Sequence, residues 1–156
     1  MIAGLLFAIP LAVSTSLFAE GSHFEDKLKE NVTRSLKFTY LLLVPAVIVL
    51  VLVGKWMLLA FGQNYSANAL PLLWVMSLSS LPSALSYIYT GILQVTRRIK
   101  ELVAVWGFIA LGTLLASYLL MPVTGIIGIG YAWLGAHTIV AIYVLKTSLS
   151  SVGIIP

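Results

Sequence analysis

The stretch FTYLLLVPAVIVLVLVG, residues 38–54, carries no charged side chain, and after Lys55 the apolar run resumes as WMLLAF to Phe61. A helix needs roughly 20 predominantly apolar residues to cross about 30 Å of hydrocarbon. Residues 38–61 meet that length, so this segment reads as a membrane span. The same pattern recurs outward from it. Residues 1–19, 70–96, 102–121 and 125–145 likewise hold no Lys, Arg, Asp or Glu, which gives five candidate spans. Between them lie a charged segment over 20–37, the polar GQNYSANA over 62–69, the basic group Arg97, Arg98 and Lys100 with Glu101, and Pro122-Val123-Thr124-Gly125. The second and fourth of these read as turns from their Gly, Pro, Asn and Ser content. Lys146 opens a short polar tail, with 147–156 beyond the last span. The first span lacks the basic leading region of a signal peptide and holds Pro10 at its middle, so it reads as a retained helix.

Composition supports the same class. Hydrophobic residues make up 60% of the 156-residue chain and charged ones 9%, with a mean hydropathy of +1.06. Soluble domains carry about 25% charged residues, and this chain has too few to coat a surface facing water. A soluble enzyme, a nucleic-acid binder and a disordered tail are thereby excluded, despite a formal net charge of +4. The absence of cysteine removes disulfides, thiolate metal sites and cysteine nucleophiles. No Cys/His metal spacing, phosphate-binding glycine loop or pair of carboxylates within a span occurs. The reading is an all-α, polytopic membrane protein of five transmembrane helices, non-enzymatic, with neither metal nor cofactor.

The basic residues set an expected orientation. With alternating spans, Lys27, Lys29, Arg34, Lys37, Arg97, Arg98, Lys100 and Lys146 share one side and only Lys55 lies on the other. That asymmetry predicts a cytoplasmic C-terminus and an outside N-terminus in the cell membrane, an orientation that points to a further helix upstream. Lys55 lies 18 residues past Lys37, about 27 Å along a helix axis, which places it at the outer interface with room to snorkel.

Residues 22–37 carry their own pattern. Ser22-His23-Phe24-Glu25 fits a capping box. Phe24, Leu28, Val32 and Leu36 then recur every fourth residue and make one apolar stripe. Acidic residues lie early and Arg34 and Lys37 late, as the helix dipole favours. The expectation is an amphipathic helix lying on the cytoplasmic face.

Within the spans, two features carry candidate chemistry. Pro82 lies well inside the third span and should kink it, with Ser79, Ser80, Ser83 and Ser86 available to meet the freed backbone groups. Ser79, Ser83, Ser86, Tyr87, Thr90, Gln94 and Arg97 fall at steps of three or four and form a polar stripe running to the basic edge. Such a stripe lines a wet cavity or packs against other helices, where hydroxyls contribute about 1 kcal/mol or less apiece; its extension through Gln94 and Arg97 favours the cavity. His137 is the ionisable side chain near the middle of a span. Intramembrane ionisable groups are candidates for function, but with no acidic partner at membrane depth the favoured reading is a neutral imidazole donating one interhelical hydrogen bond. Trp74, Trp106 and Trp133 read as core or interface residues. Gly125, Gly128, Gly130 and Gly135 give the last span small faces suited to close helix packing.

Taken in order, several segments resemble one known family. PLAVSTSLF over 10–18 followed by a charged amphipathic helix, LLAFGQNYSA over 58–67, Pro82 among serines leading to Gln94-Val95-Thr96-Arg97-Arg98, and Pro122-x-x-Gly125-x-x-Gly128 are similar to polysaccharide flippases of the multidrug/oligosaccharidyl-lipid/polysaccharide exporter superfamily. The likeness covers roughly residues 5–146. It implies part of the C-terminal lobe of a two-lobed transporter that passes a polyprenyl-diphosphate-linked oligosaccharide across the cell membrane for polysaccharide biosynthesis. It implies as partners the bilayer, the lipid-linked oligosaccharide, and the rest of the transporter or a second chain, and it places the polar stripe and Arg97 beside the pathway. A drug/cation antiporter of the same superfamily, or a membrane assembly subunit without transport of its own, are the alternatives. An antiporter needs an acid at membrane depth, and these spans hold none.

Overall fold

A computed structural model describes residues 3–21 and 28–151. The described chain is all helix: α1 (Gly4–Gly21), α2 (Leu28–Leu59), α3 (Gln63–Val95), α4 (Ile99–Thr124) and α5 (Ile127–Ser151). All five are long and apolar enough to cross a membrane, so the protein is a multi-pass helical membrane protein. The links at 60–62, 96–98 and 125–126 are short, and short links turn successive helices antiparallel.

Several boundaries differ from the sequence expectation. The polar 63–69 segment is the start of α3, not a turn; Gln, Asn, Ser and Ala are all tolerated in a helix, and the break is confined to Gly62 at φ 110°. Pro122 lies inside the last turn of α4, and the reversal is made at Gly125, whose φ of 64° suits a residue without a Cβ. The last helix runs on to Ser151, through the segment expected to be a tail.

The largest correction concerns the amphipathic segment. The capping box at Ser22–Glu25 lies outside the described residues. From Leu28 onward the segment is not a separate surface helix but the first turns of α2, which continues unbroken to Leu59. The described part of its stripe meets protein: Val32 is fully buried against Leu17 of α1 and Ile88 and Ile92 of α3, with Leu36 alongside. At 32 residues, α2 is about 48 Å long, longer than the hydrocarbon layer, and its charged end projects from it.

α3 is the hub. It packs against α1, α2 and α5 and touches α4 briefly. Leu73 meets Gly54 of α2, and Leu6, Leu43, Val47 and Leu50 complete that cluster. Tyr89 and Leu93 pack with Ile109 of α4 and Val140 and Val144 of α5. Tyr40 of α2 donates to the Leu81 carbonyl at 2.9 Å, and Ser14 of α1 donates to the Tyr87 carbonyl at 2.7 Å. Because neighbours surround α3, polar side chains on more than one of its faces are buried. Gly130 of α5 sits where a Cβ would approach Leu72 Cδ1 to 2.9 Å, so the absent side chain sets that close crossing, whereas Gly135 faces open space.

Candidate functional site

The helix runs through Pro82 without interruption. Proline removes the partner of the Leu78 carbonyl, yet the nearby serines do not replace it. Ser79 donates to the Met76 carbonyl, Ser80 to Ser77 and Ser83 to Ser79, each at 2.6–2.7 Å. These hydroxyls are satisfied within their own helix, and all three residues are fully buried.

The stripe divides along its length. Ser79, Ser83, Ser86 and Thr90 are buried, Tyr87 is half-buried, and Gln94 is exposed. Arg97 is no longer on the helix face, because α3 ends at Val95. The Arg98 N–H donates to the Leu93 carbonyl at 2.9 Å and the Arg97 N–H to Gln94 at 3.2 Å, the paired bonds of a Schellman motif. Arg97 takes the left-handed position at φ 57°, where glycine is usual. Arg97→Gly should therefore raise the stability of the purified protein by about 1 kcal/mol, read as an upward shift in thermal midpoint, while Arg97→Ala should give no such gain.

Ser86 behaves differently from the other serines. Its Oγ lies 3.1 Å from His137 Nδ1, joining the middle of α3 to the middle of α5. Ser86 of the stripe and the intramembrane histidine, 51 residues apart in sequence, are thus in contact. His137 is fully buried within a ring of aromatic side chains. The Trp133 ring lies 4.6 Å from the imidazole and that of Trp106 6.5 Å, centre to centre. Tyr87 meets Trp106 edge-on at 5.4 Å, and Phe7 of α1 meets Trp133 edge-on at 6.1 Å. Two of the three tryptophans read as packing residues surround the histidine; Trp74 faces outward.

Hydrogen-bonding capacity is left over here. His137 Nε2 and Trp133 Nε1 are buried without a partner, and so are Thr113 Oγ1 and Ser117 Oγ of α4. Trp106, Thr113 and Ser117 fall at i, i+7 and i+11, which puts the two hydroxyls on the face of α4 that presents Trp106 to His137. These four unspent polar atoms therefore follow a line along the inner faces of α4 and α5, starting at mid-depth and running away from the basic end; a fifth, Thr39 Oγ1, belongs to α2. Each such atom costs about 1–3 kcal/mol unless a water or ligand oxygen meets it. Nothing in the sequence marked Thr113 and Ser117, which stand as single hydroxyls in an apolar run. No group of three metal-ligating side chains occurs among the described residues.

Comparison with known proteins gives one informative likeness. A protein described as "Putative O-antigen transporter" from Shigella flexneri is 26% identical over 128 residues, which are 80% of this chain and 31% of the relative. The chain thus spans about a third of that relative's length. No family profile matches the chain, and no solved structure matches it significantly.

Proposed function

We propose that this chain is part of a membrane transporter that moves a lipid-linked oligosaccharide, a sugar on a polyprenyl diphosphate, across the cell membrane for polysaccharide biosynthesis. The observation that carries the proposal is the line of unspent polar atoms from His137 and Trp133 to Thr113 and Ser117 inside an apolar bundle. A helix bundle built only to pack gains nothing from such atoms, whereas a wall that passes hydroxyl-rich cargo needs sites that bind weakly and let go. The likeness to a protein with "O-antigen transporter" in its description supports the polysaccharide part of the reading. The basic side chains clustered at one end of the bundle support a cytoplasmic placement of that end. In this reading the remaining wall of the pathway comes from further helices of the transporter or a second chain, and the chain catalyses no reaction.

The second reading is an assembly subunit without transport of its own. It draws support from Ser79, Ser80 and Ser83, whose hydroxyls are all satisfied inside α3. One variant separates the two. Thr113→Val with Ser117→Ala removes two orphan hydroxyls and should stabilise the protein by about 1 kcal/mol or more. Under transport, the same variant lowers surface polysaccharide in the native host while its membrane level is kept, and lipid-linked precursor accumulates on the inner leaflet. Raised stability with unchanged polysaccharide would leave the assembly reading standing and remove the transport one.

A further inference from the structure

A cavity of about 290 Å³ opens between α4 and α5 over α3, in the half of the bundle nearest the basic end. Its walls include Ala104 and Phe108 of α4 and Ile139 and Tyr143 of α5, with Tyr89 of α3 at its floor and Glu101 toward its mouth. None of the stripe residues lines it, so it is separate from the site around His137.

Two registers decide what the mouth looks like. Lys100, Ala104 and Phe108 are spaced four apart on α4, so Lys100 stands one turn beyond the cavity wall on the same face. Ile139, Tyr143 and Lys146 fall at steps of four and three on α5, which also keeps one helix face and places Lys146 one turn beyond the other wall. Both lysines are exposed. The single carboxylate at the mouth is already engaged: Glu101 pairs with Arg98 and accepts a hydrogen bond from Tyr89 at 3.5 Å. The apolar groove therefore ends in a mouth of net positive charge, set where the apolar spans of α4 and α5 end.

We infer that this groove is a binding site for an anionic phospholipid, one acyl chain lying between α4 and α5 and the headgroup phosphate at Lys100 and Lys146. Basic pockets between transmembrane helices bind anionic headgroups, and each lysine near such a surface contributes enough to change affinity about fivefold. Phe108 and Ile139 offer the chain an apolar wall. Tyr143, half apolar and half polar, stands at the level where chain gives way to headgroup. The site is independent of the transport reading and holds whether or not the protein moves a glycan.

The test is native mass spectrometry of the detergent-solubilised protein titrated with phosphatidylglycerol and with phosphatidylcholine of the same acyl chains. Phosphatidylglycerol should be retained well above phosphatidylcholine. Lys100→Gln and Lys146→Gln should each weaken phosphatidylglycerol about fivefold and leave phosphatidylcholine unchanged. Ala104→Phe should fill the groove and remove phosphatidylglycerol binding with every charge intact. Equal retention of the two lipids by the parent protein overturns the inference, as does full binding by Ala104→Phe. Displacement of phosphatidylglycerol by sn-glycerol 3-phosphate at similar concentration also overturns it, since the site would then recognise a free phosphate. The lysine variants alter exposed positions and decide the question even if Ala104→Phe does not fold.

Discussion

His137→Ala should cost about 3 kcal/mol of stability, and His137→Leu only about 1 kcal/mol. The alanine variant empties a fully buried site against Trp133 and Trp106, so its cost is set by lost ring contacts and the void left behind. The leucine variant nearly conserves volume and loses chiefly the bond to Ser86. That loss is small, because the Ser86 hydroxyl can turn to a carbonyl of its own helix, as Ser83 already does. Unfolding of the purified variants in increasing denaturant measures both. Equal costs would mean that the hydrogen bond, rather than the packed ring, holds α5 to α3. If the polar line serves transport, the leucine variant also loses glycan export at an unchanged membrane level, so its functional loss exceeds its structural one.

Gly91→Val should cost about 3 kcal/mol, because Gly91 sits at the crossing of α1 and α3. A Cβ at Gly91 would stand 3.0 Å from Ser14 Oγ and 3.2 Å from the Ser14 carbonyl oxygen. The hydroxyl could rotate away, but the carbonyl belongs to the backbone of α1, which must give by a few tenths of an ångström, and the second and third heavy atoms of the valine side chain add to the crowding. That shift also strains the bond from Ser14 to the Tyr87 carbonyl. Gly107→Val on α4 is the matched control, since nothing lies within 4 Å of its would-be Cβ. Thermal midpoints of the two variants should separate clearly. Similar midpoints would show that α1 crosses α3 less closely than the contact at Gly91 requires.

The number of spans was legible because charge is so unevenly placed: an uncharged run such as Phe38–Gly54 has few alternatives to a membrane helix. Details that depend on a partner were not. Val32 and Leu36 form an apolar stripe whether headgroups or helices cover it, and periodicity alone does not distinguish the two. Gln63 to Ala69 read as a turn because short polar residues suit both turns and helix starts; only the φ at Gly62 separates them. At the site, Ser86 and His137 were each visible as candidates, but their contact spans 51 positions and is made by the packing of α3 on α5. Arg97 fitted the stripe by arithmetic and left it because the helix stops at Val95, a boundary set by a cap that lacks its usual glycine. Thr113 and Ser117 gained meaning only once Trp106 fixed which way that face of α4 points.

The unbroken course of α2 has a mechanical consequence. Arg34 and Lys37 ride on the same helix as Leu58, with Pro45 between them, and that helix is held near its charged end where Val32 meets Leu17, Ile88 and Ile92. Because Leu43, Val47, Leu50 and Leu58 seat the rest of α2 on the same bundle, a load applied to those cations from the aqueous phase is shared along the helix and reaches the contact between Gly54 and Leu73.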